Sequence, residues 1–338
     1  MDYYAEIDSE QGKQAINTRQ LYETCLKINE ESKQFQGYMV WKRVKEKEYL
    51  YKLKDTAGNG KSLGKRTREN EKIKADFDKR KEDIKFRKAE IAERLSRQAK
   101  YNKAAQISRL PDIASSILHA LNNSPVSERF TVIGTYALYA YESMAGIQFM
   151  SDLTATEDID LLWDGSKKMK VISDLSVKSM IELLRKADKS FTKSKSYSVV
   201  NKDGFLVDLI RAEPNPPWKK VEKKPFQERD DIEPSAISSQ KWLVSSPKVR
   251  QCVIAHNGFP VIMTVPDPRS FILHKFWLSE EKLRPNEKKK RDKEQAIALT
   301  EALREYLPQY TFSGEQLRMF PKKIFDDGII KLKEGGLL

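Results

Sequence analysis

From Lys65 to Lys100, 22 of 36 residues are charged, 14 basic and 8 acidic, while Ile73, Phe77, Ile84, Ile91 and Leu95 recur at spacings of four and seven. That pattern predicts one long helix with a single narrow apolar stripe. Such a helix either docks by its stripe, on its own domain or on a second copy of the chain as a homodimer, or serves as a basic arm that embraces nucleic acid.

The excess of positive charge extends to the whole chain. Its 338 residues hold 62 Lys and Arg against 49 Asp and Glu, a formal +13, which favours a polyanionic partner such as nucleic acid or a phosphate-bearing substrate. At roughly 150 residues per domain the length suggests two or three domains with a real core. Collagen-like, knottin-like and peptide-hormone chains are excluded. Cys25 and Cys252 stand far apart without metal-ligand spacing, and His119, His256 and His274 are scattered, so neither a disulfide framework nor a zinc site is expected. The first residues, Met1 to Glu6, lack a basic and then apolar leader, and no apolar run approaches the ~18 residues of a membrane span. A cytoplasmic protein with no membrane partner is the expectation.

Helical periodicity covers 13–34, and the β-formers of Tyr38 to Trp41 and Tyr49 to Leu53 suggest a hairpin. Composition changes near Leu110 and Pro111, giving an expected division into an arm (1–110), a core (111–213) and a C-terminal region (214–338). Within the core, helices alternate with strands and end in a hairpin turned at Asn201 to Gly204. A Pro-rich basic connector follows, with Pro214, Pro216, Pro217, Trp218, Lys219 and Lys220. Asn257-Gly258 then marks a second hairpin, 249–265, with helices expected over 268–282, 287–306 and 314–326.

Chemistry concentrates in three places. The apolar strand Thr131-Val132-Ile133 runs through Gly134-Thr135 into a helix, where glycine lets backbone approach a ligand and the helix N-terminus suits a phosphate. On Asp158-Ile159-Asp160-Leu161-Leu162-Trp163, alternation places both carboxylates on one face. They either point to water at an exposed edge or bind a hard cation, Mg²⁺ or Mn²⁺. Asp208 interrupts the apolar run Phe205-Leu206-Val207-Asp208-Leu209-Ile210. It is either an isolated acid at the core edge or, if its strand lies beside Asp158, the third ligand of a two-ion site for phosphoryl transfer. Tyr136, Tyr139 and Tyr141 either pack or stack on a base. Gly60-Lys61-Ser62 resembles the end of a P-loop, but Asp55 stands where the first glycine is required.

On these residues the chain resembles the minimal nucleotidyltransferases of the DNA polymerase-β superfamily, in the bacterial branch related to abortive-infection toxins. The likeness covers roughly 111–211 and continues more loosely through Pro268, Phe271, His274, Lys275, Arg291, Asp292 and Gln295. It implies an α+β fold: a mixed-sheet nucleotidyltransferase core, a long charged N-terminal helical region and a mostly helical C-terminal region. It also implies an enzyme that moves an NMP from an NTP, ATP among the candidates, to an acceptor hydroxyl. Asp158, Asp160 and Asp208 would hold Mg²⁺ or Mn²⁺, and Gly134, Thr135 and Lys275 would contact the triphosphate. RNA with a tRNA-like 3′ end is the expected acceptor, a protein hydroxyl the alternative enzyme reading, and a silent nucleic-acid-binding module the alternative without catalysis. Thr135, where the family usually has Gly or Ser, and the 24 residues from Gly134 to Asp158 depart from the family pattern.

Overall fold

The computed structural model describes residues 3–166, 177–214, 216, 218, 222–226 and 228–338. Pro217, Lys219 and Lys220 of the connector lie outside the described residues. The chain forms two compact units, Lys13–Ala105 and, separately, Met1–Gly12 with Gln106–Leu338.

The chain opens on β1 (Tyr4–Glu6) and α1 (Ser9–Gln34), continues through β2 (Tyr38–Val44), β3 (Lys47–Leu53) and β4 (Gly60–Lys65), and enters α2 (Arg68–Ala104). Thr67 starts α2 by accepting the Asn70 N–H at 3.2 Å, while Glu69 and Glu71 face the positive end of the helix dipole. Antiparallel pairing of α1 and α2 is held by Thr18, whose hydroxyl donates to Asn102 Oδ1 at 2.8 Å, and by Arg87, which reaches Glu31 at 2.9 Å. Phe77, Ile84, Ile91 and Leu95 of the predicted stripe are buried, whereas Ile73 is 41% exposed. Phe77 packs with Met39 and Leu50 of the β2-β3-β4 sheet. The stripe therefore docks on its own unit. A third strand extends the expected hairpin: Tyr51 pairs with Ser62 and Leu53 with Gly60. A Cβ at Gly60 would lie 2.2 Å from the Lys52 carbonyl oxygen, so Gly60-Lys61-Ser62 builds a strand and no phosphate loop.

The larger unit continues through α3 (Asp112–Asn122), β5 (Phe130–Ile133), α4 (Ala137–Ala145), β6 (Ile147–Phe149), α5 (Ser151–Thr154), β7 (Asp158–Trp163) and α6 (Met180–Leu184). It proceeds through β8 (Thr192–Lys195), β9 (Ser198–Val200), β10 (Leu206–Ala212), β11 (Ser235–Ile237) and α7 (Gln240–Ser245). The hairpin β12 (Lys248–Ile254) and β13 (Pro260–Pro266) and the helices α8 (Pro268–Glu280), α9 (Asn286–Tyr306) and α10 (Lys322–Glu334) complete it. The main sheet has the order β5-β7-β10-β9-β8, with β11 beside β10. β7 and β10 are parallel, while β5 and β9 run antiparallel to their neighbours. This mixed sheet, with helices packed on it and around it, is the α+β architecture expected.

Two departures from the sequence-based reading have physical causes. β1 pairs antiparallel with β6, Tyr4 opposite Phe149, so the first residues join the larger unit rather than the arm. Residues 314–319 form turns, and Pro321 takes the cap position of α10, as suits a residue that lacks an N–H and starts a helix more readily than it continues one. The last helix thus begins eight residues later than expected. Among the described residues, no helix is long and apolar enough to cross a membrane.

Ile84 and Ile91 are each 4% exposed, so Ile84→Ala or Ile91→Ala should lower stability by about 2–4 kcal/mol in denaturant unfolding. The exposed Lys85→Gln should change it by less than about 0.5 kcal/mol. Equal effects at all three positions would contradict the docked stripe.

Candidate active site

Register alone assembles the acids. On the parallel β7-β10 pair, Asp208 lies opposite Asp160 and Leu206 opposite Asp158, so all three carboxylates belong to one face of adjoining strands. β5 flanks β7 on its other edge, with Ile133 opposite Asp160. Gly134 follows at φ +65°, and a Cβ built on it would lie 2.3 Å from Asp160 Oδ2. Glycine is required there twice, for the left-handed backbone and for the carboxylate pressed against it.

The carboxylates are not equivalent. Burial, then the charges of Asp158 and Asp208, push the Asp160 carboxyl up to about 7, against the opposing pull of Lys275 and Lys288. Thr156 donates its hydroxyl to Asp158 Oδ1, and Ser198, directly paired with Asp208, donates to Asp208 Oδ1 at 2.6 Å. With two acids turned toward neighbouring hydroxyls, the described residues contain no group of three His, Cys, Asp or Glu side chains arranged to hold a metal ion. The donor chemistry nevertheless suits a hard divalent cation: three carboxylate groups share one face, and the one in the middle resists ionising beside the others.

Thr135 is buried, and its hydroxyl accepts the Gln295 amide at 3.2 Å. Gln295 also donates to the Leu153 carbonyl at 2.7 Å, so α9 braces both the Gly134 turn and α5. Thr135 keeps the hydroxyl of the usual Ser, and that hydroxyl is engaged by Gln295. The long interval from Gly134 to Asp158 is likewise accounted for, since it contains α4, β6 and α5, and β6 serves as the partner of β1.

Lys275, expected to contact the triphosphate, lies buried on α8. Its ammonium is buried and lies 2.7 Å from Asp292 Oδ1, and Arg284 holds the other oxygen of the same carboxylate. Burial lowers the Lys275 pKa, while Asp292 and Asp160 oppose that shift. A lysine removed from water needs such a partner, so Lys275 stands behind the acids as a fixed charge. Lys288 is exposed yet close enough for its charge to act on Asp160. Arg291 donates to the Ala155 carbonyl at 3.1 Å, three residues before Asp158. Tyr136, Tyr139 and Tyr141 are all buried, and Tyr141 donates its hydroxyl to the Pro266 carbonyl at 3.0 Å, which makes their role packing. His274 is buried against Trp242 and Trp277, and burial pushes its pKa down to about 3.

The family described as nucleotidyltransferase matches residues 113–317, more than half of the chain and every residue of this acidic face. The chain belongs to the nucleotidyltransferase family. No curated protein and no solved structure gives a significant match. Transfer of a nucleoside monophosphate from an NTP is the general activity of such a nucleotidyltransferase. Ser198 is the neighbour of the acids that motif reading missed; Lys288 belongs to the run Lys288-Lys289-Lys290-Arg291, whose sequence reads either as a solvated face or as a support for an acceptor backbone. Ser198 could have been found from its position across the Asn201–Gly204 turn from Asp208.

Two outcomes follow for this nucleotidyltransferase. The folded Asp160 carboxyl, at about 7, lies above its ordinary 3.8, so as pH rises the unfolded chain gives up this proton first. Stability is therefore unaffected below about pH 4, falls as pH climbs to about 7 and stays reduced above it. Asp160→Asn should raise the melting temperature of cation-free protein at pH 8 by on the order of 5 °C, with the gain vanishing near pH 4. A lower melting temperature at pH 8 would oppose this assignment.

The second outcome tests the contact itself. Gly134→Ala should cost at least about 1 kcal/mol through the left-handed backbone alone, and more through the Asp160 contact. Combining it with Asp160→Ala should recover part of that loss in a double-mutant cycle. Strict additivity would show that the two residues do not press on one another.

Proposed function

We propose that the chain is a divalent-cation-dependent nucleotidyltransferase of polymerase-β type that moves an NMP group from an NTP onto a hydroxyl of RNA. The observation that carries this reading is the shared face of Asp158, Asp160 and Asp208, with the Gly134 turn closed against Asp160. The three carboxylates would hold the cation, which when bound supplies neutralisation of the triphosphate charge. In this reading the acceptor oxygen attacks the α-phosphorus, the bond to the bridging oxygen breaks, and pyrophosphate departs. Asp208 takes the acceptor proton. Its hydrogen bond from Ser198 fixes the orientation of that carboxylate. Gly134 contributes close backbone approach to the phosphates, and Lys288, exposed beside Asp160, supplies the mobile ammonium that buried Lys275 does not.

RNA is favoured as acceptor by the formal +13 of the chain. The experiment is to incubate the protein with each α-labelled NTP, Mg²⁺ and either total RNA or a protein lysate. Label entering RNA supports the reading, label entering protein moves the acceptor to a protein hydroxyl, and no label in either rejects transfer. Asp208→Asn should keep its fold and lower the transfer rate by at least ~10²-fold, since an amide cannot accept the proton. Comparable rates in this variant and wild type would remove Asp208 from the mechanism.

A further inference from the structure

The family match begins at residue 113, so the β2-β3-β4 sheet of the smaller unit lies outside it. Directly paired residues on neighbouring strands share a face, and successive residues alternate. Met39 and Leu50 point to one face and pack with Phe77 of α2. The register places Lys42 opposite Tyr49 and Tyr49 opposite Lys65 on the other face, with Tyr51 two residues along. Lys42 and Lys65 are exposed, and both tyrosines keep part of their surface open. The Lys42 ammonium lies 5.2 Å from the centre of the Tyr51 ring. Glu48 is the only acidic residue in the three strands. It sits on the packed side of the pleat and is tied to Arg66 at 2.7 Å. The outward face therefore carries aromatic rings and ammonium groups with no carboxylate among them.

Those two chemistries together suit unpaired nucleotides. Every base has a π-face that stacks on an aromatic ring, and lysines neutralise the phosphates that join successive bases. Tyr49 and Tyr51 stand about 7 Å apart along β3, within reach of neighbouring bases splayed from one strand. We propose that this sheet face is a docking surface for single-stranded RNA. As a way of recruiting an acceptor it rests on the RNA reading above, whereas the contact itself rests on the sheet alone.

The test uses the full chain and a fluorescein-labelled 12-nucleotide single-stranded RNA, followed by anisotropy between 50 and 200 mM salt. Joint replacement by Tyr49→Ala and Tyr51→Ala should weaken binding at least ~10-fold, because each stacked base contributes on the order of 1–3 kcal/mol. Joint Tyr49→Phe and Tyr51→Phe, which keeps the rings, should bind like wild type and controls for folding. Lys42→Gln with Lys65→Gln should flatten the log–log salt slope by about 0.7 for each phosphate no longer neutralised. An RNA duplex of equal length should compete poorly, since its bases are already stacked. Absence of wild-type binding, unchanged affinity in the alanine pair, or equal binding of the duplex would each overturn the proposal. The two readings fail separately. RNA labelling with unchanged binding in the alanine pair rejects the sheet alone, while tyrosine-dependent RNA binding with label entering only protein rejects the RNA acceptor alone.

Discussion

The contact between the Gly134 backbone and the Asp160 carboxylate sets the geometry of the larger unit. A side chain at 134 would need the space held by Asp160 Oδ2, 2.3 Å from the would-be Cβ. With no side chain there, β5 can end level with the middle of the acidic strand, turn sharply at φ +65° and lead into α4. Antiparallel pairing then fixes Ile133 opposite Asp160, and the parallel partner β10 brings Asp208 level with the same residue. One close approach thus determines where the backbone turn, the first two acids and the third acid lie with respect to one another.

Such an arrangement is costly for the fold, and the surrounding residues show how the cost is contained. A carboxylate desolvated beside two others favours its neutral form, as the raised Asp160 value records. Lys275 offsets part of this from behind, but a buried ammonium needs a counter-charge of its own, and Asp292 supplies it while also holding Arg284. Asp292 and Gln295 lie one turn apart on α9, so the helix that anchors the lysine also braces Thr135 and Leu153 through the Gln295 amide. The acids are therefore held in place by an interlocked set of buried polar contacts, the kind of network in which removal of one member leaves others unpaired.

The legibility of these features in the sequence followed their range. Alternation along 158–163, the lone acid at 208 and the Asn201–Gly204 turn were readable because each depends on neighbours within a few residues, and they were enough to bring three acids to one face. The hairpin at Asn257-Gly258 and the stripe of α2 were readable for the same reason. The burial of Lys275 was not legible because its environment is set by Asp292 and Arg284, brought to it by the packing of α8 on α9 and the turn between them. Nothing in the local pattern distinguishes a lysine held there from one in water. The third strand β4 was overlooked because Gly60-Lys61-Ser62-Leu63-Gly64 has poor strand propensity; it pairs through its backbone with β3, across a bulge at Leu50 and Tyr51.

Charge counted along the sequence and charge available to a ligand also part company. α2 holds 13 basic and 8 acidic residues over its 37 positions, and several of them are partnered one turn away, Lys74 with Asp78 and Arg97 with Glu93 among them. Opposite charges one helical turn apart largely cancel at distances beyond the Debye length of about 10 Å in 0.1 M salt. The three strands β2, β3 and β4 carry 6 basic residues and 1 acidic residue. Their net charge equals that of α2 on little more than half as many residues, and the single acid faces away from the open side. The helix that dominates the composition therefore serves its unit chiefly through the buried stripe, while the field that a polyanion would meet is concentrated on the short sheet beside it.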